Sequence, residues 1–204
     1  MTIVATEFEI KFAVDDLQLL DCMLCDLMIR ENMEESNYRY IKMETTYFDT
    51  EDGALASQKW MLRIRKENDT SVVTVKTPGE GYARGEWNVE GSYLEDAVPL
   101  LMQDGAPQEL ETYLEAGLMP ICGVSFTRIL AVLKFEDGTR CDLCGDVGQF
   151  TATGKSAPLC EMELELTAGN EETMLTFARK LQEKYNLSEQ KKSKVVRARE
   201  LISL

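Results

Sequence analysis

Hydrophobic and polar residues alternate along much of this chain with a period of two, the spacing of a strand whose two faces meet different surroundings. Over residues 6–14 the odd positions Glu7, Glu9 and Lys11 face one way and Phe8, Ile10 and Phe12 the other. The period then lengthens. Residues 15–31 place Leu17, Leu20, Leu24, Leu27 and Met28 on one helical stripe. A strand over 38–48 follows and stops at Asp49-Thr50-Glu51-Asp52-Gly53, which is turn chemistry.

Three strands are predicted in quick succession after it. Residues 60–67 set Arg63 and Arg65 opposite Leu62 and Ile64, and 71–77 put Thr74 and Lys76 together before Pro78-Gly79. Residues 84–90 align Arg84, Glu86, Asn88 and Glu90 on one face. Residues 93–118 read as two short helices interrupted at Gly105-Ala106-Pro107. Strands over 124–136 and 139–146 form a hairpin across Asp137-Gly138, a favoured turn pair. Residues 158–168 set Glu161, Glu163 and Glu165 against Cys160, Met162, Leu164 and Leu166. Asn170 is a good cap for a helix running to about Tyr185, and Lys191-Lys192-Ser193-Lys194 leads into a short final helix. With no repeat or linker in view, about eight strands and peripheral helices predict one α+β domain over residues 1–204, built on an antiparallel sheet or barrel.

Composition narrows the partners. The chain is 44 % hydrophobic and 28 % charged, an ordinary globular balance. No apolar run approaches a membrane span, and the N-terminus lacks the pattern of a signal peptide, so a cytoplasmic protein is expected. A net charge of −14 argues against nucleic acid and against an anionic membrane. Histidine is absent, which excludes an imidazole base, a Ser-His pair and His-ligated zinc. Two Cys-x-x-Cys pairs, Cys22/Cys25 and Cys141/Cys144, are poorly placed for one zinc. Three-residue spacing shares a face on a helix and splits across the two faces of a strand, so reduced, packed thiols are expected.

The charges are sorted by sign. Glu7 and Glu9, and again Glu161, Glu163 and Glu165, form carboxylate rows, whereas Arg63, Arg65 and Lys76 form basic ones. A strand facing water has no reason to repeat one sign at alternate positions, and such carboxylates, roughly 7 Å apart, repel one another. A hard divalent cation relieves that repulsion, and oxygen-only ligands select Mg²⁺ or Mn²⁺. Guanidinium groups match phosphate oxygens, and lysines supply point charges. Gathered around one cavity, the two sets suit a metal-chelated polyphosphate.

Glu7-Phe8-Glu9-Ile10-Lys11 resembles the Glu-x-Glu-x-Lys motif of the CYTH superfamily, also called triphosphate tunnel metalloenzymes. The likeness continues through Tyr47-Phe48-Asp49-Thr50, Leu62-Arg63-Ile64-Arg65, Thr74-Val75-Lys76-Thr77-Pro78-Gly79, Arg84-Gly85-Glu86-Trp87, Glu161-Met162-Glu163-Leu164-Glu165 and Ser193-Lys194. Each motif is weak alone; their order and spacing are specific, and within the family they look most like bacterial inorganic triphosphatases. The resemblance implies an eight-stranded antiparallel β-barrel forming a triphosphate tunnel with peripheral helices. It implies hydrolysis of inorganic triphosphate to pyrophosphate and phosphate with Mg²⁺ or Mn²⁺.

Carried over position by position, the resemblance assigns Lys11, Arg63, Arg65, Lys76, Arg84, Arg128 and Lys194 to the phosphates. It assigns Glu7, Glu9, Glu86, Glu90, Asp146, Glu161, Glu163 and Glu165 to the metal, with Glu7, Glu9 and Lys11 at the reacting end. Asp142 shares a face with Asp146, and Asp146 is preferred because it precedes Val147-Gly148. Alternation puts Arg128 on the face of Phe126 and Leu130, which asks for a bulge or twist to turn it inward. A class IV-like adenylate cyclase, a thiamine triphosphatase, and a non-catalytic barrel that binds polyphosphate or nucleotide are the alternatives. The partner is a small-molecule triphosphate; the oligomeric state is open, a dimer being one option.

Overall fold

The computed structural model describes residues 8–78 and 84–202. Among the described residues, nine strands form one antiparallel sheet in the order β5-β4-β3-β2-β6-β7-β8-β1-β9. They are β1 (Glu9–Ala13), β2 (Arg39–Asp49), β3 (Met61–Glu67), β4 (Thr70–Pro78), β5 (Arg84–Glu90), β6 (Met119–Lys134), β7 (Arg140–Ala152), β8 (Lys155–Ala168) and β9 (Ser188–Glu189). The described residues also form the helices α1 (Leu17–Leu24), α2 (Leu27–Arg30), α3 (Ala54–Ser57), α4 (Leu94–Gln103), α5 (Glu109–Ala116), α6 (Glu171–Tyr185) and α7 (Lys194–Glu200) around them.

The expected closed eight-stranded barrel does not form: the ladder ends at β5 on one side and β9 on the other. The reason lies in β1. A strand has only two edges; one edge of β1 pairs with β8, and the other takes β9 through Phe12↔Glu189 and Ala13↔Ser188. At Phe12 and Ala13 the edge that closure onto β5 would need is therefore in use. The sheet is nonetheless strongly bent. Flat, β4 and β1 would lie about 29 Å apart at the usual strand spacing, yet Lys76 of β4 and Glu9 of β1 line one cavity.

Residue parity decides what each face meets. On the convex side, Phe12, Ile129, Leu133, Cys141, Leu143, Met162 and Leu164 bury against α1, α2 and α6. Farther along the same side, Leu62, Val73 and Val75 pack on α4 and α5, joined by Trp87 and Val89. On the concave side, Met43, Tyr47, Val124, Phe126, Phe150 and Leu159 make a third cluster closed by Val195, Ala198 and Leu201, in and just beyond α7. The charged alternate positions are left for the rest of the concave face. Cys141 joins the convex core while Cys144, three residues on, lies in the buried concave side with Arg128, and all six cysteines are free thiols.

Several boundaries move for local reasons. The single helix expected over 15–31 breaks at Cys25-Asp26, because Asp26 caps a second helix by accepting a hydrogen bond from the Met28 amide at 2.9 Å. β7 runs six residues past its expected end at Asp146 and turns into β8 at Thr153-Gly154, with φ of 50° and 78°. That pair of positive φ values is the form that suits strand twist in a two-residue hairpin, and glycine takes the second without strain. Within β7, Gly148 is obligatory: a Cβ there would sit 2.0 Å from the Ser125 carbonyl oxygen of β6. No described helix is long and apolar enough to cross a membrane.

Asp26 also ties α2 to α6. Its carboxylate accepts a hydrogen bond from the Tyr185 hydroxyl and pairs with Lys184. Burial pushes this acid up, but the bonds from Lys184, Tyr185 and the Met28 amide outweigh it and leave it below the ordinary aspartate value. A depressed acid stabilises the fold above its unfolded pKa and stops doing so as pH falls through its folded pKa. Asp26→Asn is therefore expected to cost about 1–2 kcal/mol at pH 7, with a deficit that shrinks below about pH 4. Thermal melts at pH 7 and pH 3 check this; an equal deficit at both would count against it.

Candidate active site

A cavity of about 550 Å³ lies in the concave face. Its wall carries eight cationic side chains, Lys11, Lys59, Arg63, Arg65, Lys76, Arg128, Lys194 and Arg199, and four acidic ones, Glu9, Glu86, Glu163 and Glu165. On a chain of net charge −14 this is a local excess of positive charge, so the sorting by sign is real in three dimensions.

Strand pairing explains the grouping. Lys11 stands opposite Glu163 and Glu9 opposite Glu165 across β1 and β8. Arg63 stands opposite Tyr47 on one side and Thr74 on the other, and Lys76 opposite Glu86. Directly opposed residues share a face, so each charge set is projected into the same volume. Lys11 pairs with Glu9, and Lys76 with Glu86 at 2.8 Å. Arg65 reaches Glu67 only at 3.6 Å, and its Nε is enclosed with no hydrogen-bond partner. An enclosed guanidinium donor left unmatched is a group an anion would satisfy.

Beneath the wall lies a dense ionic cluster. Arg128 donates to Asp146 through Nε at 2.8 Å and Nη2 at 2.7 Å, and to Glu163 at 2.6 Å. Lys194, the first residue of α7, places Nζ 2.8 Å from both Asp146 and Glu163 and against Glu161. Arg197, one turn later, pairs with Glu161. Burial alone would push Glu163 up, but the charges of Lys194 and Arg128 bring it down to about 2. Burial also drives Glu161 up, and there Lys194 and Arg197 do not fully offset it. Burial opposes the charge on Arg128 and Lys194, and the surrounding carboxylates more than restore it, so both stay protonated.

As donors, these acids fit a hard divalent ion. Asp146, Glu161 and Glu163 each bring a carboxylate oxygen within 4.8 Å of the others, so a candidate acidic metal-binding site is present. Glu9, Glu86 and Glu165 add oxygens on the cavity wall.

Most sequence-expected residues thus meet: Glu9, Lys11, Arg63, Arg65, Lys76, Glu86, Arg128, Glu163, Glu165 and Lys194 share the cavity. Asp146 and Glu161 lie behind it, wholly enclosed. Glu90 is exposed and outside the lining, and Glu7 falls outside the described residues. Arg84 is placed only by its backbone, opposite Pro78. No bulge turns Arg128 inward: Phe126 and Arg128 both belong to the concave face, with the guanidinium 5.7 Å from the ring centre. The register shift between β2 and β6 lies elsewhere, at Tyr47/Phe48. The concave face simply mixes an apolar patch with charges.

Lys59, Arg197 and Arg199 were not anticipated. Arg197 is three residues beyond Lys194, the spacing that shares a helix face, and that signal was in the sequence. Arg199 meets the buried carboxylate of Asp49 at 2.9 Å, and Asp49 in turn accepts from the amides of Thr50, Leu55 and Ala56. Lys59 reaches the wall from a turn where its φ is +57°. Neither has a periodic signal.

A model of the CYTH domain matches residues 5–198. An inorganic triphosphatase of Haemophilus influenzae is 30 % identical over 140 residues, covering 67 % of this chain and 39 % of that relative, so the match spans well under two thirds of its length. Among solved structures, a protein from Bacillus halodurans provisionally named an adenylate cyclase aligns with a TM-score of 0.60 at 22 % identity, over 94 % of this chain and 96 % of the other. A protein from Hippeastrum, described as an adenylyl cyclase candidate with a dominant triphosphatase activity, aligns at 0.60 and 17 % identity over 95 % of each chain. These two show the fold.

Proposed function

Since the chain belongs to the CYTH family, we propose that it hydrolyses inorganic triphosphate to pyrophosphate and phosphate with Mg²⁺ or Mn²⁺. The observation that supports this most is the cavity wall: cations in excess, carboxylates interspersed, and no histidine on the chain. Phosphoryl transfer to water needs no covalent nucleophile; the protein supplies position and charge.

In this reading Lys11, Arg63, Arg65, Lys76, Arg128 and Lys194, with Arg84, divide the charge of the phosphate chain among them. The carboxylates of Asp146, Glu161 and Glu163, with Glu9, Glu86 and Glu165 on the wall and Glu7, would hold the metal. A bound Mg²⁺ or Mn²⁺ neutralises phosphate charge and lowers the pKa of a coordinated water. Glu9 and Lys11, paired on β1 and both on the cavity wall, would keep a water and a terminal phosphorus in line.

The test is phosphate release from tripolyphosphate, ATP and thiamine triphosphate, each with Mg²⁺ or Mn²⁺, with cyclic AMP followed in parallel. Release from tripolyphosphate well above the other two is expected. EDTA should abolish it, and added Mg²⁺ or Mn²⁺ should restore it. Cyclic AMP formation, or EDTA-resistant release, would overturn the reading.

A further inference from the structure

Cations on the cavity wall differ in where their counter-charge lies. Lys11 pairs with Glu9 and Lys76 with Glu86, and Arg128 and Lys194 share Glu163, all carboxylates of the wall itself. Lys59 and Arg199 line the same cavity, and among the described residues neither pairs with a wall carboxylate. Arg199 instead donates from Nη2 to Asp49 at 2.9 Å, and Asp49 is buried off the wall. Three backbone amides share that carboxylate, those of Thr50 and Leu55 on Oδ1 and that of Ala56 on Oδ2. Its charge is thus divided between these amides and the guanidinium. The Arg199 Nε is enclosed with no hydrogen-bond partner, a donor that an anion would satisfy.

The two cations stand at one end of the cavity. The Lys59 amide donates to the Ala56 carbonyl at 2.9 Å, and the Ala56 amide donates to Asp49 at 3.1 Å. Helix α3 thus joins the turn that carries Lys59 to the acid that holds Arg199. Glu9 and Lys11 stand on another wall: β6, β7 and β8 separate β1 from β2, the strand that ends at Asp49. Arg199 is also ordered before any ligand arrives. Its helix α7 is fixed at its start by Lys194 and in its middle by Arg197, both on Glu161, and its own side chain is only 25 % exposed. A cation already ordered loses less rotamer entropy on meeting an anion.

What an anion gains there depends on its end group. An unesterified terminal phosphate carries more negative charge than one esterified to an organic group, which has one ionisable oxygen fewer. We infer that Lys59 and Arg199 form a further phosphate subsite at the α3 end of the cavity. It holds the unesterified phosphate remote from Glu9 and Lys11, and so favours inorganic triphosphate over its organic esters. Asp49 is the positioning residue for Arg199. The assignment rests on the triphosphatase reading of the cavity and adds to it the residues that choose the substrate.

The experiment compares the unaltered protein with K59M, R199Q, D49N and D49N/R199Q. Dissociation constants for tripolyphosphate and ATP are measured by calorimetry in EDTA, and KM and kcat on tripolyphosphate with Mn²⁺. R199Q and K59M should each weaken tripolyphosphate binding about tenfold, the size of one charge-assisted contact. KM should rise to match while kcat changes less. ATP affinity should stay within about twofold of the unaltered protein, so the preference narrows. D49N keeps the guanidinium and should lose less than R199Q. D49N/R199Q removes both partners of the ion pair and should show the same tenfold loss as R199Q even if R199Q alone fails to fold. Unchanged tripolyphosphate affinity in these Arg199 variants overturns the subsite. So does an equal loss for both ligands, which is what a merely structural Arg199 would give. Absence of turnover in the unaltered protein would instead sink the triphosphatase reading, while the two affinities would still show whether Lys59 and Arg199 recognise a free phosphate end.

Discussion

Glu9→Gln is expected to cut tripolyphosphate turnover by roughly 10²–10³-fold while the chain stays folded and still binds the substrate. Glutamine keeps the shape of the side chain and removes its charge. Glu9 is a partly exposed residue on a short strand, 25 % open at its side chain, so no core packing depends on it. Two things change at the reacting end. On the proposed mechanism an oxygen offered to the metal opposite Glu165 loses its charge, and Lys11 loses the carboxylate that holds its ammonium. Substrate affinity rests mainly on the other cations, so the loss should fall on kcat. Steady-state kinetics with a parallel Mn²⁺ titration decides it. Turnover within a few-fold of the unaltered protein would remove Glu9 from the metal-binding set.

Lys194→Met should be the most destabilising single change at the site, at about 3–5 kcal/mol, or roughly 10 °C in melting temperature. The ammonium touches three carboxylates at once, and only Arg128 and Arg197 remain to balance them when it goes. The sign with pH is distinctive. Carboxylates left unmatched in a buried place have raised pKa values, so the variant loses stability as pH rises through them and recovers as pH falls. Adding Glu161→Gln should restore part of the loss, because one uncompensated charge leaves with the cation. Melts from pH 4 to pH 8 on the single and double variants check both statements. A deficit that is flat with pH would show that Lys194 contributes packing alone.

The parity of the strands is legible because one face is largely apolar and the other charged, and it sets Arg63, Arg65, Lys76, Glu86 and Glu163 each on the charged face of its strand, which the bent sheet gathers on a common wall. Closure was not legible. It turns on which neighbour takes the second edge of β1, and the two residues that take it, Ser188 and Glu189, are too few to form a pattern. Depth was not legible either: Glu161 and Glu165 look alike by alternation, but one is wholly enclosed and the other half-buried on the wall. The bulge or twist expected to turn Arg128 inward is not needed. The expectation treated each face as uniformly apolar or polar, whereas the concave face carries Phe126 beside Arg128.

Because a face is chosen by odd and even positions, the molecule has a reading frame in space as well as in its gene. One residue inserted in the middle of β8 would swing Glu161 and Glu163 toward α1 and α6 and bring Met162 and Leu164 into the cavity. Such a change would spoil the active site and the core together. Lengthening the turns at Asp137-Gly138 or Thr153-Gly154 leaves that frame intact. Natural variation in length should therefore gather at the turns, and the strands should evolve by replacement alone.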